Sequence, residues 1–190
     1  IKDSSDILKV ATISANSDPA IGQMLTDAFA EAGLDGGVNI VEGNRLYTDF
    51  EIVNGISFDN GFISSSFVNR ENNTCEFENA SIFLYEQKFT NAKKMKSLLE
   101  AALAHDRPLL ILADDVDGGA LAVQNINIDN KFFASCSVRA PSFHQNRNEL
   151  LQDFALITGA TLIRSDEGKV LEAHLNDPHI FGIAAKVIVS

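Results

Sequence analysis

Tryptophan is absent from this 190-residue chain, and cysteine, methionine and tyrosine occur only twice each. Two cysteines, Cys75 and Cys136, are too few for a disulfide framework and lack the C-x-x-C spacing of a zinc or redox site, so free thiols in a reducing compartment are expected. Basic residues are also scarce. Fifteen Lys and Arg against 26 Asp and Glu give a net charge of −11, which argues against non-specific binding to nucleic acid and adsorption to anionic membranes, since both need a basic surface. No apolar run approaches the roughly 18 residues of a membrane span, and no signal-peptide pattern opens the chain. The chain starts at Ile1 rather than methionine and is expected to be a fragment or a processed product. Hydrophobic residues make up 45%, enough for a folded core; with 13 phenylalanines and no tryptophan, aromatic packing falls mainly to Phe.

The residues that are present order themselves into elements. In "SDPAIGQMLTDAFAEAGLDGG", Asp18 suits an N-cap and Pro19 the first helical position. Ile21, Met24, Leu25, Ala28, Phe29 and Ala32 recur at helical spacing, and Gly36 and Gly37 are the expected stop. Short strand-like runs follow at "VNIVEG" from Val38 and "LYTDFEIV" from Leu46. The Asn-, Ser- and Gly-rich stretch "NGISFDNGFISSSFVNRENNTCEFEN" reads as turns and loop, with a short strand near Cys75–Phe77. Beyond it the pattern alternates. "ASIFLYEQ" reads as a buried strand and "TNAKKMKSLLEAALAHD" as a helix capped by Thr90 or Asn91. "RPLLILADD" reads as a second buried strand, leading into a helix that starts at Gly118. "KFFASCSVRAP" is a third strand, "NRNELLQDFALITGA" a helix with Leu150, Leu151, Phe154, Ala155 and Ile157 apolar, "TLIRS" a fourth strand and "AAKVIVS" a fifth. Strand–helix–strand three times over predicts an α/β fold with a mostly parallel sheet flanked by helices. The lead-in from Ile1 to about Val53 has a different character and suits a separate small unit.

Parallel sheets place ligands at the carboxyl ends of their strands, so "LADDVDGGA" is the natural place for an active site. Asp114, Asp115 and Asp117 could hold a hard cation there; capping of the following helix by Asp117 or a neighbour is the plainer expectation. The two glycines do not form a dinucleotide fingerprint, and no phosphate-binding loop with its lysine exists in the chain. His105, His144, His174 and His179 make no i, i+4 pair and are expected on the surface. Ser142 and His144 have no carboxylate orienter in sequence, so a hydrolase triad is not expected, and Lys93, Lys94 and Lys96 read as a solvated helix face. At about 100° per residue Leu121 and Asn125 share a helical stripe and Ile126 stands off it. Phe62 and Phe67 lie in a loop where polar residues would be usual.

"ATISANSD", "NGISFDNGFISSSFVN", "RPLLILADDVDGGALA" and "VRAPSFHQNRNELLQDFALITGAT" resemble, in that order and almost without gaps, stretches of the group I, GroEL-type chaperonins. The resemblance covers Ala11 to about Leu171. It implies a chaperonin apical-domain-like layered fold for residues 54–190, without its last helices, and part of a small α+β intermediate domain for residues 1–53. It implies that the equatorial domain and the catalytic Asp lie outside this chain, so that the fragment has no cofactor and is not an enzyme. The full-length protein would be an ATP- and Mg-dependent ring chaperonin of seven-membered rings, cytoplasmic or in a mitochondrial matrix or plastid, with the fragment itself a monomer. The implied partners are unfolded polypeptides and the mobile loop of a GroES-type co-chaperonin, with no nucleic acid and no membrane. Both partners would dock in an apolar groove between two helices, about Asn91–Ala104 and Gly118–Asn127. Matched residue by residue, the binding positions fall on Phe62, Ser66, Phe67, Lys96, Leu99, Leu121, Asn125 and Ile126. Ser66, Lys96 and Asn125 depart from the family's aromatic and aliphatic side chains and are expected to weaken generic hydrophobic capture. The competing reading is a small α/β ligand- or metal-binding enzyme domain using the Asp114–Asp117 corner; a chaperonin paralogue with an adhesion or signalling role is a third.

Overall fold

The computed structural model describes residues 4–33, 48, 49, 55–58, 60–140, 145–164, 171, 175, 177 and 179–190. The chain divides into two compact units, Ile1–Ile56 and Ser57–Ser190.

The first unit holds two packed helices, α1 (Ser4–Ser14) and α2 (Pro19–Ala32). Asp18 caps α2 as its sequence predicts, its Oδ1 accepting from the Ala20 N–H at 2.8 Å and the Ile21 N–H at 3.2 Å. The helix ends sooner than Gly36 and Gly37 suggest. Gly33, at φ 83°, stops it, donating its N–H to the Phe29 carbonyl at 3.0 Å. The buried face only partly follows the apolar stripe: Ala28 of the stripe is buried and Met24, Leu25 and Phe29 are half-buried, but Gly22 and Thr26 are buried too while Ile21 is exposed. Gly22 lies so close to the backbone of Thr12 that a side chain there would collide with it, so the helices cross on a small residue. Helix α1 carries no propensity signal in "SSDILKVATIS"; its packing on α2 supplies what its β-branched residues do not. The strands expected from Val38 and from Leu46 lie outside the described residues, Thr48 and Asp49 excepted.

The second unit is the α/β layer. Its elements are β1 (Cys75–Phe89), α3 (Ala92–Leu103), β2 (Leu109–Val116), α4 (Gly118–Asp129), β3 (Ser135–Arg139), α5 (Gln145–Thr158), β4 (Leu162–Ile163) and β5 (Gly182–Val189), with a 3-10 turn at Ser65–Phe67. The sheet runs β3-β2-β1-β4, all parallel, and β5 joins β1 antiparallel. Strand β2 is central and its apolar run is buried almost throughout, as a strand covered on both faces must be. The core between sheet and helices gathers Phe83, Met95, Leu98, Leu99, Ile111, Val116 and their neighbours. On α5, Leu151 and Phe154 are buried as expected, but Ile157 is 66% exposed.

Strand β1 corrects the local reading. The short strand at Cys75–Phe77 and the strand from Ala80 are one strand of 15 residues. Its first half, Cys75–Ile82, pairs with β5, which local pattern cannot reveal. Asn79 sits inside it at φ 51°, a conformation that asparagine tolerates better than most residues. From Ser81 onward β1 also pairs with β2, Ile82 standing opposite Leu110 and Leu110 opposite Cys136 of β3.

Candidate functional site

Helices α3 and α4 follow parallel strands and lie side by side on the sheet. Asn91 caps α3, its Oδ1 accepting from the Lys94 N–H at 3.1 Å. The two helices meet at their N-termini. The Ala120 N–H donates to the Thr90 carbonyl at 3.0 Å, and a Cβ on Gly119 would stand 3.1 Å from the Ala92 methyl. A fully buried glutamine sets the rotation of α4. Gln124 Nε2 donates to Ser135 Oγ at 3.1 Å, and Ser137 Oγ donates to Gln124 Oε1 at 2.6 Å. Ser135 and Ser137 are two apart on β3, hence on one face of it. Gln124 thus locks α4 onto β3 and leaves the opposite side of the helix outward, with Ile126 60% exposed.

Helical spacing places the remaining side chains. Ala92 touches α4, so the stripe Ala92, Lys96, Leu99, Leu103 faces the α3–α4 seam, and Gly119, Val123 and Ile126 face it from α4. Leu99 is 4% exposed and forms the floor; Lys96, exposed and 3.7 Å from Glu100, and Leu103, 56% exposed, stand above it. Leu121 and Asn125 lie on the other flank of α4, which packs against the 3-10 turn. There Ser66 is half-buried and Phe67, 3% exposed, is core. Phe62, half-buried, is held by an antiparallel bridge to Val138. By helical spacing the positions expected in one groove fall on both flanks of α4, Leu99 and Ile126 on the α3 side and Leu121 and Asn125 on the side of the 3-10 turn. The Asn125 Oδ1 atom is buried without a hydrogen-bond partner, and so is that of Asn127.

The Asp114–Asp117 corner is an ion-pair network. Lys88 Nζ lies 2.6 Å from Asp117 Oδ2 and 3.4 Å from Asp115 Oδ2, and Arg139 Nη2 donates to Asp115 Oδ1 at 2.8 Å. Asp117 occupies the N-cap position of α4 but makes no side-chain capping bond, because its carboxylate is turned to Lys88. Burial alone would raise the Asp115 carboxyl; the hydrogen bonds and charges of Arg139 and Lys88 outweigh it and hold the group below its ordinary value. Lys88 is raised in turn, chiefly by its hydrogen bond to Asp117 and then by Asp115. Among the described residues no group of three or more His, Cys, Asp or Glu side chains is placed to hold a metal. His105 and His179 are exposed, His105 with its ring 5.2 Å from that of Phe181; His144, His174 and Ser142 lie outside the described residues.

No family model matches the chain. Individual proteins do. Mitochondrial chaperonin CPN60-1 of Zea mays is 39% identical over 191 residues, which is 100% of this chain and 33% of that protein. Chaperonin GroEL of Methanoregula boonei is 36% identical over 188 residues, 96% of this chain and 35% of that protein. Chaperonin GroEL 1 of Rhodopirellula baltica is 42% identical over 173 residues, 90% of this chain and 30% of that protein. The chain is homologous to a segment of the group I chaperonins. It spans about a third of the length of these chaperonin relatives. Two features of this chaperonin segment escape the sequence. Gln124 reads as a polar surface residue of an Asn-rich helix; only the two serines of β3, two positions apart, hint at its buried partners. Leu103 ends the α3 stripe at Lys96 spacing, i+7, and could have been found by extending it. No helix among the described residues is long and apolar enough to cross a membrane.

Proposed function

We propose that the α3–α4 face of this chaperonin segment binds apolar stretches of non-native polypeptide and the mobile loop of a co-chaperonin. The observation that carries the reading is the pair Ile126 and Leu103, 60% and 56% exposed, flanking a seam whose floor is buried core. Exposed aliphatic side chains at a helix–helix seam suit an amphipathic or extended client segment. Leu121, Ser66, Phe62 and Asn125 extend the surface on the far flank of α4, with Phe67 and Leu99 supporting it from beneath. Lys96 and Asn125 make it more polar than an all-aliphatic groove. The larger protein would supply ATP and Mg chemistry and a seven-membered ring in parts that this chain does not span, in a cytoplasm or, as the maize relative's name indicates for that protein, a mitochondrion.

Titration of the 190-residue chain with a fluorescent, leucine-rich peptide tests the reading. Ile126→Ser and Leu103→Ser should each weaken binding about tenfold, since losing most of one buried aliphatic contact costs about 1.5 kcal/mol. Lys96→Leu and Asn125→Val should strengthen it. Ile188→Ser, on β5, should leave it unchanged. Binding that is insensitive to both serine variants, or no saturable binding at all, would exclude the proposed face.

A further inference from the structure

We propose that the free edge of β1 between Cys75 and Ala80 is a second polypeptide site, which takes an extended segment by its backbone and is gated by the side chain of Asn69. At Ser81 and Ile82, β1 is flanked on both edges, by β2 on one and by β5 on the other. Before Ser81 only β5 continues: it pairs with β1 back to Cys75, whereas β2 begins at Leu109, opposite Ser81. The β2-side edge of Cys75–Ala80 therefore has no strand beside it among the described residues. An unpaired strand edge is a template for another extended chain.

One side chain already stands in that gap. Asn69 Nδ2 donates to the Glu76 carbonyl at 2.8 Å, and the Glu76 N–H donates to Asn69 Oδ1 at 2.9 Å. Since β5 fills the other edge, with Ile188 opposite Glu76, the Asn69 amide lies on the β2 side. It takes both backbone groups that an added strand would use. A carboxamide carries a donor and an acceptor on one planar group, as a peptide unit does, so the gap already holds a stand-in for a strand. Asn69 is itself exposed, and its bonds are open to exchange. Its backbone is anchored: the Asn69 and Arg70 N–H groups both donate to the Thr74 carbonyl at 3.1 Å, closing the turn that leads into β1.

The shape of the gap selects the occupant. The turn bounds it at one end and the start of β2 at the other. A single extended segment fits between these limits; the edge of a second folded sheet would meet the turn or β2. Backbone groups two residues apart in a strand point to the same side, so Glu78 offers its N–H and carbonyl beside those of Glu76. On one face of β1 here Cys75 and Phe77 are buried, and on the other Glu76 is half-buried and Glu78 exposed. An added strand that continues both faces alternates apolar with polar side chains. This edge belongs to β1, not to the α3–α4 face, and the proposal does not rest on that face binding anything.

The test is titration of the 190-residue chain with a short fluorescent peptide of alternating valine and threonine, and with the same peptide N-methylated at every second residue. The native chain should bind the first saturably and the second not at all. Asn69→Ala should bind about tenfold tighter, because two hydrogen bonds no longer have to be broken; if that variant does not fold, Asn69→Asp, which keeps the shape and loses the donor, replaces it. Glu78→Pro, which removes an N–H facing the gap, should weaken binding. Ile126→Ser should leave it unchanged. Absence of binding to both the native chain and the Asn69 variant, equal affinity of the two, or equal binding of the N-methylated peptide would each overturn the proposal. So would loss of binding in Ile126→Ser, which would place the peptide at the α3–α4 face. Retained valine–threonine binding without leucine-rich binding would sink the α3–α4 reading alone.

Discussion

Asp115 shows how much a single carboxylate in this fold depends on its neighbours. Read along the chain, it belongs to an acidic corner suited to a cation; in the fold two side-chain cations, Lys88 and Arg139, already stand against it. Its carboxyl is depressed, so the pair contributes stability at pH values above the ordinary carboxylate range and loses it as pH falls through the depressed value. Thermal unfolding followed from about pH 7 to about pH 3 should show the melting temperature of the native chain falling more steeply than that of Asp115→Asn, the two curves converging at the acid end. The difference near neutrality should be modest, about 1 kcal/mol or less, because the partners Lys88 and Arg139 are largely exposed. Parallel curves would show that the network contributes nothing to folding. Asn125 is the converse case: a polar residue whose carbonyl oxygen has lost water and gained no partner.

At the scale of the element, α4 is the helix whose seating matters most. Its sequence "GGALAVQNINID" begins with two glycines and ends in alternating Asn and Ile, so propensity gives it little. The hydrogen bonds from Gln124 to Ser135 and Ser137, together with Ala120 packed on the core, hold it in one orientation. Gln124→Leu should cost about 1–3 kcal/mol, the penalty of leaving two hydroxyls buried without a partner. Adding Ser135→Ala and Ser137→Ala should return part of that loss, since removing all partners of a buried network is cheaper than removing one. Urea unfolding of the native chain and these two variants measures it; a triple variant less stable than Gln124→Leu would show that the serines act independently. Strand β1 makes the complementary point. Fifteen residues form one strand across the left-handed Asn79 because β5 and β2 supply partners, not because the local pattern is continuous.

At the scale of the whole chain, the division at Ile56 and Ser57 separates a helical pair from an α/β layer with its own core. A protein cut to Ser57–Ser190 should therefore unfold in one cooperative calorimetric transition and bind the leucine-rich peptide as the 190-residue chain does. A non-cooperative melt, or lost binding with folding intact, would assign part of the function to the first unit. The match to chaperonins runs over both units, yet it covers about a third of each relative, which is why ring assembly and ATP chemistry stand as proposals about the larger protein.

Sequence by itself determined the kinds of element and most of their order. Asp18 with Pro19, the apolar run of "LLILADD" and Asn91 ahead of α3 act on the backbone within a few residues, so their outcome is legible locally. It also carried the chaperonin resemblance, which rests on ordered residue types. What the tertiary structure decided is which of these residues meet and which remain outside. Leu99 and Ile126 are equivalent by composition, yet one is floor and the other surface, because α4 is rotated by a buried glutamine that bonds to a strand eleven residues on. Cys75 looks like part of a short isolated strand along the chain and lies in a long one in the fold, because Val189 of β5 pairs with it. Periodicity records the preference of each residue for burial; it does not record the partner, and partners arise from pairing between segments distant in the chain.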